Sequence, residues 1–147
     1  MRKRFQRELA RLGSRPACEF LRDPLTARAA ALLFDQLPRN LYRNDCRAFA
    51  HDRLARQIAR GLIARGWHRS LTRDARAFGG MPLMHSEKIS DQRASLAYFR
   101  SVPGNFSFAR AHYRMIARFR RFPHRNPVLR RTSSAAELRA VAAGNAW

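Results

Sequence analysis

Asp23-Pro24-Leu25-Thr26-Ala27-Arg28-Ala29-Ala30-Ala31-Leu32-Leu33-Phe34-Asp35-Gln36 is the stretch on which the fold turns. Asp23 is a good helix N-cap, because its carboxylate can accept from the orphan amides of the first turn. Pro24 stands at the first helical position, where its missing N–H costs nothing. From Ala29 to Phe34 the chain is apolar on most sides, so the pattern predicts a central, buried helix over 24–36. Pro38 is expected to end it, since proline removes a helical hydrogen bond.

Working outward, the helical pattern continues on both sides. Phe5, Leu9 and Leu12 fall at i, i+4 and i+7 of a very basic helix over 2–12. Gly13-Ser14 breaks it, and a short helix opened by Ser14 and Pro16 runs to Leu21. After a connection over 37–45, in which Asn40 and Asn44 suit turns, a helix over 46–65 points Phe49, Leu54, Ile58, Leu62 and Ile63 inward. Its outward face carries Arg53, Arg56, Arg60 and Arg65, and Gly66 closes it. Thr72 caps a helix over 73–84 whose middle is weakened by Gly79-Gly80-Met81-Pro82. A helix over 88–101 buries Ile89, Leu96 and Tyr98 or Phe99. Another, over 106–121, is capped by Asn105 or Ser107 and bears Phe108, His112, Ile116 and Phe119. Ser134-Ala135-Ala136-Glu137 is a capping box ahead of a helix over 135–143. No period-2 stretch survives, so the chain is all-α: about six to seven helices in antiparallel pairs, in one domain over 1–147.

Charge is the unusual quantity. Thirty basic residues stand against ten acidic ones, a net charge of +20, and only Lys3 and Lys88 are lysines. Between Asp91 and Glu137 lie ten arginines, Arg93 to Arg131, and no carboxylate. Codon composition accounts for arginine over lysine but not for the shortage of acids, and such a field attracts polyanions, nucleic acid above all. Tyr98, Phe99, Phe106, Phe108, Tyr113, Phe119 and Phe122 fall among these arginines. In a single-stranded nucleic-acid groove they would be stacking platforms. Spaced three and four apart they read first as core, with Arg110, Arg114, Arg118 and Arg121 solvated. No apolar run is long enough to cross a bilayer, and Phe5 to Leu12 alternates where a signal peptide would be unbroken, so a cytoplasmic protein with no membrane partner is expected. Cys18 and Cys46 share no metal or disulfide spacing and are expected as reduced, packed thiols.

Several stretches carry more polar character than helix formation requires: Leu33-Phe34-Asp35-Gln36-Leu37-Pro38-Arg39-Asn40, Arg47-Ala48-Phe49-Ala50-His51-Asp52, and Pro82-Leu83-Met84-His85-Ser86-Glu87. With them go Asp91-Gln92, Ser95, and Ile116 through Phe122-Pro123-His124-Arg125-Asn126. In order and spacing they resemble the DUF924 family, bacterial proteins of unknown function, over roughly residues 25–140. The resemblance implies a tetratricopeptide-repeat-like stack of helix pairs, a scaffold often used to bind peptides. Three departures, a missing aromatic-rich segment ahead of Arg2, Phe78-Gly79-Gly80-Met81 in place of aromatic residues and the strong basic excess, point to a truncated or diverged member.

These motifs supply the candidate site. His85 and Glu87 lie about 200° apart on a helix and cannot share one metal there, so no metal or other cofactor is expected. Each of His85 and His124 reads first as a histidine orienting a loop. Asp35, Arg39 and Arg125 form either an ion-pair network fixing helix ends, the favoured reading, or a cationic pocket for a carboxylate or phosphate. The Pro38-Arg39-Asn40 and Pro123-His124-Arg125-Asn126 echo predicts two similar helix-end turns facing each other, with Asn40 and Asn126 satisfying loop backbone. The functional expectation is a binding module in which Arg39 and Arg125 take an anionic ligand or peptide, positioned by Asp35, Asn40, His85, Glu87 and His124. Two alternatives stay open: nucleic-acid binding through 93–131, and a hydrolase-type enzyme using His85, Glu87 and His124. Neither ligand nor oligomeric state is legible.

Overall fold

Seven α-helices and no strand make up residues 2–145, the part that the computed structural model describes. They are α1 (Arg2–Gly13), α2 (Pro24–Leu41), α3 (Asp52–Ala64), α4 (Arg73–Met84), α5 (Ile89–Phe99), α6 (Phe106–Phe119) and α7 (Ala135–Ala142). Short 3-10 turns cover Ala17–Phe20, Cys46–Phe49, Trp67–Ser70 and Pro123–Arg125. Each helix from α1 to α5 packs on its successor, α3 and α4 both pack on α2, and α4 also touches α6. This is the contact order of stacked helix pairs.

Local signals account for the ends. Asp23 Oδ1 accepts from the Leu25 and Thr26 amides, Thr72 Oγ1 from Ala75, and Ser134 with Glu137 closes a complete capping box. Gly66 sits at φ +70 just beyond α3, a conformation that favours glycine. Around α2 the buried side chains Leu9, Phe20, Ala27, Ala31, Phe34, Leu54, Ile58 and Leu62 form the largest core cluster. A second joins Ala77, Met84, Tyr98, Phe99 and Val102, and a third Met115, Ile116, Phe122 and Ala140.

Tertiary packing overrides local propensity in several places. Helix α2 passes through Pro38 to Leu41 instead of ending before it. Pro38 is buried, and the Arg39 guanidinium donates to the Asp35 carbonyl oxygen at 2.7 Å, beside the carbonyl that the proline deprives of its amide. In α4, Gly79-Gly80 is a point of close approach: a Cβ on Gly80 would lie 2.4 Å from the Tyr98 ring. The glycines thus let α5 pack close and do not interrupt the helix. Instead of beginning a helix at 46, the chain makes a 3-10 turn capped by Asp45, and α3 starts at Asp52. Ile89 and Phe108, expected inside, are exposed, as are both cysteines. Among the described residues no helix is long and apolar enough to cross a membrane.

Candidate functional site

One end of the stack collects the C-terminal halves of α2 and α4, the N-terminal turns of α3 and α5, and the Pro123–Arg125 turn after α6. Most of the candidate residues stand there. Asp35 and Arg39 are one turn apart on α2, as their spacing requires. His85 caps the C-terminus of α4 and donates from Nδ1 to both Asp35 oxygens at 2.9 Å. Gln36 Nε2 adds a bond of 2.6 Å. Burial pushes the Asp35 carboxyl up, but His85, Arg39 and Gln36 outweigh it and hold it at about 2.

Arg39 reaches onward. Its two terminal nitrogens donate to the two oxygens of Asp52, the first residue of α3, at 2.9 and 3.1 Å. Asp52 also faces Arg125, whose Nη1 is 3.7 Å from Oδ2, so one carboxylate serves two guanidinium groups. The Arg125 guanidinium lies between the rings of Phe49 and Phe122, 4.6 and 4.4 Å from their centroids. Its side chain is 7% exposed and its Nε is buried without a hydrogen bond. Burial, with Arg39 nearby, lowers its pKa to about 10. A cleft of about 330 Å³ opens over this pair, lined by Arg39, Arg43, Phe49, His124 and Arg125.

The rest of the sequence-derived set divides. His124 lines that cleft, and burial beside Arg125 depresses it to about 4. A chain of ring contacts links His85 to His112, His112 to Phe122 and Phe122 to His124, with centroids 5.5–5.9 Å apart. His112, also held near 4 by burial, donates from Nδ1 to the Phe108 carbonyl oxygen at 2.8 Å. Glu87 does not converge with His85. Its carboxylate accepts from the Phe122 amide at 2.8 Å and from Arg131 at 2.8 and 2.9 Å. Those bonds more than offset the burial that would raise its pKa, and its pKa is lowered. Asn40 is exposed and lies on a different, apolar groove beside Leu33, Leu37 and Phe78. Asn126 is buried and donates to Ser133 Oγ, tying down the loop ahead of α7. The expected echo of two proline turns is absent in the backbone, because Pro38-Arg39-Asn40 is helical and Pro123–Arg125 is a 3-10 turn. The arginines of the two motifs meet all the same, through Asp52.

Pro82 to Glu87 therefore has a structural explanation. His85 reaches α2 through Asp35, and Glu87 holds the segment after α6. Ser86 Oγ donates to Asp91 at 2.7 Å, and Asp91 takes Arg56 and Arg60 from the face of α3 that the helical pattern turns outward. Gln92 Nε2 closes the turn on the Met84 and Ser86 carbonyl oxygens, both at 2.7 Å. Asp52 and Asp91 are nodes missing from the candidate set, although both stand in the polar stretches that carry the resemblance. With ten acids against thirty bases, every buried carboxylate is a place where cations gather, and that count is the signal that would have found them.

The profile of DUF924, bacterial proteins of unknown function, matches residues 1–145. The chain belongs to that family. A solved structure of a protein of unknown function from Agrobacterium tumefaciens is similar, with 30% identity and a TM-score of 0.85. The similarity covers 97% of this chain and 80% of that one. No curated protein matches. In this DUF924 protein the Asp35–His85 and Arg39–Asp52–Arg125 contacts place positive charge at a cleft, and among the described residues no group of three or more His, Cys, Asp or Glu could hold a metal.

Proposed function

We propose that the chain binds a small ligand through a carboxylate or phosphate group in the cleft over Arg39 and Arg125. The observation that carries this is the state of Arg125: a buried guanidinium whose one ion pair among the described residues is 3.7 Å long, to a carboxylate already held by Arg39 in two bonds. A cation removed from water without full compensation attracts a second anion, and guanidinium offers a fork that matches two oxygens. Arg43 adds charge at the mouth and Phe49 supplies an apolar wall. Asp35 and His85 act as positioning residues, fixing the helical turn from which Arg39 projects. At about 330 Å³ the cleft is at the small end of ligand sites, which favours a metabolite-sized molecule or a single acidic terminus over a long peptide.

Titration calorimetry with inorganic phosphate and with succinate, at constant ionic strength set by chloride, tests the reading. One of the two should bind the wild type, and Arg125→Met should weaken it at least tenfold, about 1.4 kcal/mol. Equal binding by Arg125→Met, or no heat above the chloride control for either anion, rejects it.

A further inference from the structure

The seven arginines Arg93, Arg100, Arg110, Arg114, Arg118, Arg120 and Arg130 are all exposed, and none makes an ion pair among the described residues. Most lie singly on helix faces, as solvated charge does. At the first turn of α5 the arrangement differs. A cleft of about 480 Å³ between α3 and α5 is lined by Arg53, Arg56, Arg60 and Lys88. A second, of about 360 Å³ between α5 and α6, is lined by Arg93 and Arg120 with Ile89 and Ile116. Residues of one short segment divide between them: Lys88, Ser90 and Asp91 face the first, Glu87, Ile89 and Arg93 the second. The two clefts therefore flank the start of α5, one on either side of it.

Both carboxylates on this segment are already committed. Asp91 accepts from Ser86, Arg56 and Arg60, and Glu87 accepts from Arg131 and the Phe122 amide. What remains uncompensated is Arg53, Lys88, Arg93 and Arg120, with the positive end of the α5 dipole between them. Lys88 is the N-cap of α5 and makes no side-chain cap bond, so the leading amides of α5 lack the usual side-chain acceptor. Arg120, the left-handed C-cap of α6 at φ +59, adds an exposed cation to the lining of the second cleft.

We propose that these two adjoining clefts, across the first turn of α5, bind the phosphate backbone of nucleic acid. The site is distinct from the Arg39–Arg125 cleft and goes beyond that reading. Two consecutive cationic hollows suit a chain of phosphates better than a single anion, and their concavity suits a strand better than the plane of a bilayer. No aromatic side chain lines either cleft, so the recognition is of the backbone and is independent of sequence.

Fluorescence polarisation with a short labelled RNA and a short DNA duplex, titrated between about 50 and 200 mM salt, is the test. The wild type should bind with a steep salt dependence. The quadruple variant Arg53→Gln, Lys88→Gln, Arg93→Gln, Arg120→Gln should lose at least tenfold in affinity and flatten the slope by about 0.9 for each phosphate contact removed. Since all four side chains are exposed and make no ion pair among the described residues, the fold should persist, and a thermal melt checks it. Should the quadruple variant melt early, the doubles Arg53→Gln/Lys88→Gln and Arg93→Gln/Arg120→Gln each carry the test. A control that removes the same charge elsewhere, Arg4→Gln, Arg7→Gln, Arg69→Gln, Arg139→Gln, should change affinity less than threefold. Equal losses in the two quadruple variants would reduce the effect to net charge and overturn the site. Absence of binding at low salt, or binding only to vesicles containing phosphatidylserine, would overturn it as well. Arg125→Met should leave nucleic-acid binding intact, which separates failure here from failure of the small-anion reading.

Discussion

Asp52 and Asp91 occupy equivalent places, each a carboxylate in the first turn of a helix and each shared by two arginines, yet they do different things with the surplus charge. At Asp91 both cations reach water: Arg56 is 18% and Arg60 50% exposed, while Ser86 supplies a further hydrogen bond to the carboxylate. The excess positive charge is hydrated and the buried oxygen atoms are satisfied. At Asp52 the second cation is Arg125, flanked by two phenylalanine rings and shut away from solvent. Its charge has neither water nor a full partner. The first arrangement fastens α3 to the α4–α5 turn; the second leaves an unmet demand for an anion. The lesson is that an arginine–aspartate count does not separate structure from binding, whereas the solvation of the leftover cation does.

That contrast can be broken by three measurements. The largest effect is expected from Asp91→Ala, which leaves the half-buried Arg56 and the buried Ser86 without their acceptor and should cost about 3 kcal/mol in chemical denaturation. A loss below about 1 kcal/mol would mean that this network, too, is not structural.

Next comes acid. His112 and His124 have pKa values depressed to about 4 in the fold against 6.5 unfolded, because burial disfavours their charged forms. Between those values the unfolded chain binds more protons. Stability is therefore complete above 6.5 and falls as the pH drops toward 4, by on the order of 2 kcal/mol per histidine. Asp35, at about 2 when folded against 3.8, adds a further loss only below 3.8. Denaturation midpoints that stay flat from pH 7 to pH 4.5 would show that neither imidazole is buried as described.

The smallest expected change is in the stability of Arg125→Met. Replacing an under-compensated buried cation with an apolar side chain should shift stability by less than about 1 kcal/mol, leaving Asp52 with Arg39. A loss near that of Asp91→Ala would place Arg125 among the fastening residues and remove the distinction drawn above.

The helices were legible where caps and periodicity agree. Asp23-Pro24, Thr72 and Ser134-Ala135-Ala136-Glu137 all cap as their chemistry demands. The misreadings share one cause. Pro38, Gly80, Ile89 and Phe108 were assigned by local propensity or period, and each is decided by what lies across the interface: a guanidinium over a carbonyl, a tyrosine ring, or nothing. For the site, Asp35, Arg39, His85, His124 and Arg125 could be named from their motifs. Asn40 could not be excluded, because its face depends on α2 continuing past Pro38. Asp52 was within reach of the sequence, since it ends the polar stretch from Arg47 and acids are scarce.

By itself, then, the sequence determined an all-helical chain, the capped helix starts at Pro24, Arg73 and Ala135, its family and its excess of arginine, since these follow from contacts within a few residues or from composition. Only the tertiary structure decided which arginines are spent on carboxylates and which are left over. Arg39, Arg56 and Arg125 look alike in sequence; the first two, 19% and 18% exposed, donate to carboxylates, while Arg125, 7% exposed, stands 3.7 Å from its carboxylate, a difference set by how α2, α3 and the turn after α6 close on one another.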